Sequence, residues 1–229
     1  MEFTKLSNRL DLVASFVPAG ARLLDVGSDH AYLPIALLQE GKIEAAIAGE
    51  VVEGPYQSAL QNVADNGLED KIEVRLANGL AAFEPTDGIS CITIAGMGGR
   101  LIADILAAGL VKLASVSRLV LQPNNREDEL RAWLVDNDFR IVDEAILEEN
   151  EKFYEILVVE QGSQELSAKE LRFGPYLMRE QAPAFVQKWS KEVEKLAFAL
   201  EQVPVENQSA RASLEERIAH IKEVLHVSK

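Results

Sequence analysis

The sequence predicts an α/β fold, a doubly wound and mostly parallel sheet that ends in an antiparallel hairpin, followed by an α-helical appendage. Three patterns predict it. Short apolar runs alternate repeatedly with apolar positions at helical spacing, which calls for crossover connections and therefore parallel strands. Two longer strand patterns, 139–147 and 153–159, are separated only by Glu148-Glu149-Asn150-Glu151-Lys152. That gap is too short for a crossover helix, so the two must pair antiparallel. Beyond Gly162, Val186, Trp189, Val193, Leu196, Leu200 and Val203 recur at spacings of 3, 4, 3, 4 and 3, and Leu214, Ile218, Ile221 and Leu225 at 4, 3 and 4. Two heptad helices joined by a short turn fold back as an antiparallel coiled coil. The chain divides accordingly into an α/β domain, 1–162, and a helical coiled-coil domain, 163–229.

The elements follow in order. Leu6, Leu10 and Val13 share one helical face, and Pro18-Ala19-Gly20 stops that helix. Arg9 lies off the stripe; a helix laid across the mouth of a site would aim Arg9, with Lys5 nearby, at phosphate. The run 21–26 is a strand that meets a small-residue turn, and Ala31, Ile35, Leu37 and Leu38 open a helix at once. The run 45–50 is a second strand ending in Glu50. Pro55, Tyr56, Ala59, Leu60, Val63 and Ala64 then mark a helix, closed by Asn66-Gly67. Residues 71–76 alternate as a third strand, and Asn78-Gly79 follows it. The fourth, 89–94, is apolar on both faces and so central. It runs into Ala95-Gly96-Met97-Gly98-Gly99 and a helix carrying Arg100, Leu101, Ile102, Ile105 and Leu106. A fifth strand, 119–121, ends in Gln122-Pro123-Asn124-Asn125, and Leu130 and Leu134 anchor the next helix.

Composition narrows the function. The amino terminus, Met1-Glu2-Phe3-Thr4-Lys5, lacks the basic-then-apolar pattern of a signal peptide, and no apolar run approaches the ~18 residues of a membrane span. A cytoplasmic protein with no membrane contact is expected. The single cysteine, Cys91, lies inside an apolar run and only three histidines accompany it, so neither a disulfide nor a metal site is expected. The net charge of −14 is unevenly spread. Residues 1–160 hold 13 basic against 27 acidic side chains, whereas 161–229 hold 10 of each. Such a balance counts against a polyanionic partner unless cations cluster locally. The neutral appendage, with Lys188, Lys191 and Lys195 outside the heptad seam, is the part best able to meet one.

The loop after the first strand is the chemical centre. It joins a strand to a helix start, where backbone N–H groups are unpaired and ligands of open α/β sheets bind. Glu50 ends the next strand 23 positions after Gly27, close to the ~20-residue offset at which a carboxylate meets the ribose hydroxyls of an adenosine cofactor. A dinucleotide loop would place glycines where Asp29 and Tyr32 stand, and a carboxylate is a poor neighbour for pyrophosphate. Asp29 suits a cofactor that presents positive charge, which favours S-adenosylmethionine over NAD. Asp25, Gly27, Ser28 and His30 then serve the cofactor from the first loop, Glu50 and Val51 from the second strand, and Asn78 and Gly79 from the third. Ala95, Gly96 and Met97 leave room for a flat base or the methionine end of the cofactor. Plainer readings exist for each: Asp25 as a loop organiser, Asn78-Gly79 as an ordinary turn, His30 as a hydrogen-bonding group at a helix start.

Lys5-Leu6-Ser7 with Arg9-Leu10, Gly27-Ser28-Asp29-His30-Ala31-Tyr32-Leu33-Pro34, Ala48-Gly49-Glu50, Asn78-Gly79-Leu80, Thr93-Ile94-Ala95-Gly96-Met97-Gly98-Gly99, Leu121-Gln122-Pro123-Asn124 and Tyr154-Glu155 together resemble the bacterial tRNA (adenine(22)-N1)-methyltransferase family. The resemblance runs from about Lys5 to Gly162, and the appendage is similar too; Asn78 departs from it, where the family often has Asp. It implies a Rossmann-like class I methyltransferase sheet, S-adenosylmethionine as donor and N1 of an adenosine in the D arm of tRNA as acceptor, with no obligate protein partner. The target base must be unstacked to react. Asp29 would stabilise the cationic product, Gln122 and Asn124 would hold the base edge or ribose, and Tyr154 would stack on the base. Lys5, Arg9, Arg100, Lys188, Lys191 and Lys195 would contact RNA. The competing expectations are a methyltransferase for another RNA base or a small molecule, and a non-catalytic RNA-binding protein on the same fold.

Overall fold

The computed structural model describes residues 4–226; the first three residues, part of the stretch read for a signal peptide, lie outside the described residues. Seven strands form one sheet: β1 (Ala21–Val26), β2 (Ile43–Glu50), β3 (Ile72–Leu76), β4 (Cys91–Met97), β5 (Arg118–Pro123), β6 (Phe139–Glu149) and β7 (Lys152–Gln161). Their order is β3-β2-β1-β4-β5-β7-β6, with β7 inserted antiparallel between β5 and β6 and the rest of the ladder from β3 to β5 parallel. The strand order reverses between β1 and β4, and at that switch point the loops leaving neighbouring strands diverge and open a crevice. Asp25 sits there in register with Ala48 on one side and Thr93 on the other.

Alternating residues of the central strands face opposite layers. Leu24, Ile92 and Leu121 pack on α4 (Gly99–Ala108) and α5 (Glu127–Asp136) through Ile102, Leu106, Leu130 and Leu134. Leu23, Cys91 and Val120 face α1 (Asn8–Phe16), α2 (Tyr32–Gln39) and α3 (Glu53–Asp65), which contribute Val13, Leu33, Ile35, Leu37, Ala59 and Val63. Both sides of the sheet are therefore covered, the condition that makes parallel strands apolar throughout. Ser7 caps α1 by accepting from the Leu10 N–H, so the helix starts at Asn8, two residues after the first apolar position of the stripe, Leu6.

Beyond Gly162 the chain forms two six-residue helices, α6 (Ala168–Phe173) and α7 (Pro175–Glu180), and then the long pair α8 (Pro183–Gln202) and α9 (Gln208–His226). The long helices run antiparallel. Arg211 donates to the Leu200 and Val203 carbonyls beside the turn, Arg217 faces Glu192 midway, and Gln181 reaches the Val224 carbonyl at the far end. Trp189, Leu196 and Ile221 fill the seam with Val193, Leu214 and Ile218. The buried set departs from the heptad register at the ends: Phe185 is fully buried where Val186 is 39% exposed, and Val224 is buried beside a half-buried Leu225. The cause is lateral packing. The start of α8 lies against Phe173 of α6 and Ile146 of β6, with the Phe173 and Trp189 rings edge to face, so its apolar face turns toward the sheet. Among the described residues no helix is long and apolar enough to cross a membrane, and no cluster of His, Cys, Asp and Glu is placed to hold a metal.

Candidate active site

The loop between β1 and α2 is built from left-handed backbone. Gly27, Asp29, His30 and Ala31 have φ of 66°, 44°, 70° and 60°, and for each of the three non-glycine residues that conformation costs roughly 1–2 kcal/mol. Side chains and neighbouring backbone offset the cost. The Gly27 and Ser28 N–H groups both donate to the Gly49 carbonyl, at 2.8 and 3.2 Å, and the Asn62 amide donates to the His30 carbonyl at 3.0 Å. The Ser28 hydroxyl donates to Asp25 at 2.6 Å, and the Thr93 hydroxyl donates to the other Asp25 oxygen at 2.6 Å. Asp25 is thereby a buried loop organiser with both oxygens engaged. Burial pushes its carboxyl up, and the two hydroxyls pull it back only in part.

Glu50 behaves differently. It is 5% exposed at the end of β2, and its Oε1 has no hydrogen-bond partner. Burial raises its pKa, more than the Asp29 backbone N–H lowers it. A buried carboxylate oxygen without a donor is costly and calls for a ligand that brings one. Val51 follows it, 56% exposed, an apolar surface beside the Asn78-Gly79 turn. The Ala77 N–H donates to the Glu50 carbonyl at 2.7 Å and draws the ends of β2 and β3 together. Asn78 is exposed, and with Gly79 and Leu101 it lines a cavity of about 280 Å³.

Across the crevice, a smaller cavity of about 240 Å³ is walled by Arg9, Asp25, Gly27, Ser28, Asp29, Gly96 and Met97, among others. A Cβ at Gly27 would meet the Met97 Cε, the movable end of a flexible side chain, so what reserves position 27 for glycine is its left-handed backbone. The Asp29 side chain is 83% exposed, with His30 Nε2 at 3.4 Å. Gln122 holds the facing loop. It is fully buried; its Oε1 accepts from Arg9 Nη1 at 2.6 Å and from the Gly96 N–H at 3.0 Å, while its Nε2 donates to the Pro123 carbonyl and to Asn124 Oδ1. The Asn124 amide donates to the Gly96 carbonyl at 2.7 Å. With all four of its hydrogen-bonding positions used, Gln122 clamps the Ala95-Gly96-Met97 bend and leaves nothing for a base. The structure thus gives Gln122 a positioning role in place of the expected contact with substrate, whereas Asn124 stays exposed at the rim. The Arg9 guanidinium lies over the Tyr154 ring, 5.6 Å from its centroid.

A larger cleft, about 720 Å³, opens beside Asn124 and Tyr154 and continues onto α8. Lys152, Phe153, Arg172, Lys188, Lys191 and Lys195 line it, with Glu127, Asp128 and Glu192 interspersed. The lysines are not equivalent. Lys188 is tied to Glu155 at 2.7 Å and Glu127 at 3.1 Å. Lys191 pairs with Glu148 and covers the Phe153 ring, whereas Lys195 is 80% exposed with Glu192 only at 3.8 Å. Lys5 and Arg100 are exposed, before α1 and in the first turn of α4. Lys152, Phe153 and Arg172 are cleft residues that sequence reasoning did not single out, since no motif marks them.

The chain matches known proteins over nearly its whole length. Residues 23–223 match the model of a family described as TrmK, tRNA (adenine(22)-N(1))-methyltransferase. The chain is 41% identical to the tRNA (adenine(22)-N(1))-methyltransferase of Bacillus subtilis, over 98% of this chain and 99% of that protein. Among solved structures, a Streptococcus pneumoniae protein in complex with S-adenosyl-L-methionine is 66% identical, covers 97% of this chain and 100% of its own, and superposes with a TM-score of 0.90. Mycoplasma capricolum TrmK in complex with S-adenosyl-homocysteine is 28% identical over 98% of this chain and 99% of its own, with a TM-score of 0.84. The chain belongs to the TrmK tRNA (adenine(22)-N(1))-methyltransferase family.

Proposed function

We propose that this chain is an S-adenosylmethionine-dependent methyltransferase that modifies N1 of adenosine 22 in the D arm of tRNA, in the cytoplasm. The observation that carries the donor assignment is the unpartnered, buried Oε1 of Glu50, set at the carboxyl end of β2 where a ribose hydroxyl can supply the missing hydrogen bond. The bare Gly27 and the apolar Val51 fit an adenosine laid across the ends of β1 and β2, and Asn78, exposed after β3, would pair with the adenine edge.

The donor, when bound, supplies a methyl group on a sulfonium, an electrophile that needs no activation by the protein. What the chain's residues supply is orientation, which turns a bimolecular encounter into a near-attack geometry. Adenine N1 carries a free lone pair at neutral pH, so no general base is required; the lone pair forms the N–CH₃ bond as the S–CH₃ bond breaks, and the positive charge passes from sulfur to the base. Asp29, exposed on a left-handed loop at the cavity, would supply a negative charge beside that cation. Asn124 and Tyr154 line the cleft by which a flipped base would enter. Of the cations expected to meet RNA, Lys5, Arg100, Lys191 and Lys195 are exposed and available to its backbone.

Incubation with labelled donor and bulk tRNA tests the reading. Label is expected in tRNA, and none in a transcript whose adenosine 22 is replaced by guanosine. The acidity of residues 1–160 favours one rival, a small-molecule acceptor; no label in tRNA at low salt would select it. Asp29→Ala should lower kcat on the order of 100-fold with little change in donor affinity, measured by single turnover and calorimetry.

A further inference from the structure

Lys188 lies where three elements meet. Its ammonium, on a side chain 22% exposed, is 2.7 Å from Glu155 of β7 and 3.1 Å from Glu127 in the first turn of α5. Among the described residues it is the one side chain of α8 whose ion pairs reach both β7 and α5. Each of these carboxylates neighbours a residue at the mouth of the site. Tyr154 immediately precedes Glu155 on β7, and Asn124 stands three residues before Glu127. On α8 itself, Lys191 and Lys195 follow Lys188 one and two turns later on the same face. Tyr154, Asn124 and all three lysines line the 720 Å³ cleft. Adhesion does not need this bridge: Ile146, Phe173, Phe185 and Trp189 already pack the start of α8 on the sheet, and desolvation offsets most of the attraction between buried charges. What the bridge adds is direction. Apolar contact is non-directional, whereas a hydrogen bond from an ammonium weakens steeply when its length or angle changes.

Resting on the methyltransferase reading above, we propose that Lys188 is a positioning residue for the chemical step, not an RNA contact: it holds α8 in register with Tyr154 and Asn124, so that RNA seated on Lys191 and Lys195 presents its flipped base at the right distance. Methyl transfer needs the acceptor nitrogen in line with the donor's methyl, and a displacement of about 1 Å can cost on the order of 100-fold in rate. The donor would lie on the ends of β1 and β2, whereas the RNA is held in part by α8. The Lys188 bridge sets the separation of these two supports. Two carboxylates already compensate its charge, so removing it takes no cation from the RNA. Arg131 still holds Glu155 when Lys188 is gone, so β7 keeps its place and the change falls on α8.

The test is single-turnover methyl transfer at saturating tRNA and donor. Lys188→Met, which keeps the length and loses the charge, should slow transfer on the order of 10-fold, while the Kd values for tRNA and donor change less than about twofold and the salt slope stays in place. Lys188→Arg, able to meet both carboxylates, should recover most of the rate. Glu127→Gln should slow transfer too, and adding it to Lys188→Met should slow it little further, because both remove the same contact. Val63→Ala, a core truncation on α3 in the opposite layer, controls for lost stability and should leave the rate unchanged. An unchanged rate in Lys188→Met would overturn the proposal and leave Lys188 a tether only. Weaker tRNA binding with a flatter salt slope would overturn it in favour of a direct RNA contact, and equal slowing in Val63→Ala would do so in favour of general destabilisation. No transfer to tRNA by the wild-type protein would instead remove the methyltransferase reading itself.

Discussion

Glu50 sets burial against ionisation. Its carboxylate is useful to a ribose only when ionised, because a protonated carboxyl has one acceptor fewer, yet burial favours the neutral form and raises its pKa. As the pH falls from neutral, Glu50 therefore takes up its proton earlier than an exposed glutamate would. Donor affinity should begin to fall above the usual carboxylate range, and Glu50→Gln should abolish that limb of the profile. At neutral pH the same variant should bind the donor about 1.5–3 kcal/mol more weakly, the cost of losing a hydrogen bond to a charged group. Calorimetry between about pH 5 and 8 reads both effects. A profile identical in wild type and Glu50→Gln would take Glu50 out of the site. Gly27→Ala has two consequences at once. The φ of 66° costs roughly 1–2 kcal/mol with a side chain, and the new methyl pushes Met97 toward the cavity, so stability and donor affinity should fall together. These two residues were legible in the sequence because strand ends in an open sheet are where ligands bind, and their spacing is local. Gln122 was legible as a strand-end amide but not as a clamp, since its four partners come from α1, the β4 bend and its own loop.

The helical elements show the same division. The spacing of apolar positions foretells α8 and α9, because twenty residues give a periodic pattern room to repeat. α6 and α7 have six residues each, too few for a period; only the capping box of Ser167 and Glu170 and the Pro175 start could have marked them. Both lend backbone groups to a charged network that ties α8 to the sheet. Arg131 of α5 is fully buried, donates to Glu144 of β6 at 2.7 Å and to Glu155 of β7, and reaches the Leu171 carbonyl of α6; Glu144 also accepts from the Tyr176 N–H of α7, and Glu155 from Lys188 of α8. Burial opposes ionisation of Glu155, but Arg131 and Lys188 outweigh it and hold the carboxyl below its ordinary range. No sequence pattern reveals a buried arginine whose acids lie 13 and 24 positions away. Removing one partner strands the others, so Arg131→Met should cost about 3–5 kcal/mol, a fall in Tm of roughly 6–20 °C by calorimetry. Lys188→Met should cost less than half as much, because Glu155 keeps Arg131. Equal losses would show that the network is not anchored on Arg131.

At the scale of the whole molecule the difficulty is charge: a chain of net −14, its excess acid confined to residues 1–160, has to hold a polyanion. The fold answers locally. Lys152 from β7, Arg172 from α6 and Lys188, Lys191 and Lys195 from α8 converge on one cleft that also opens onto Asn124 and Tyr154, so the cations are brought to the mouth of the site by elements distant in sequence. Binding carried by such a cluster releases counterions from the RNA, and affinity must fall as salt rises, by about 0.7–0.9 in the log–log slope per phosphate neutralised. The ion pairs decide which lysines count. Lys195 is mostly exposed and Lys191 half held by Glu148, so Lys191→Glu and Lys195→Glu should each weaken tRNA binding and flatten the slope, with donor binding untouched. Lys188 is already neutralised by Glu155 and Glu127, and Lys188→Gln should leave the slope where it was. Filter binding across about 50–200 mM salt separates the two groups. If Lys188 carries the salt dependence and Lys191 and Lys195 do not, the RNA enters by some other face.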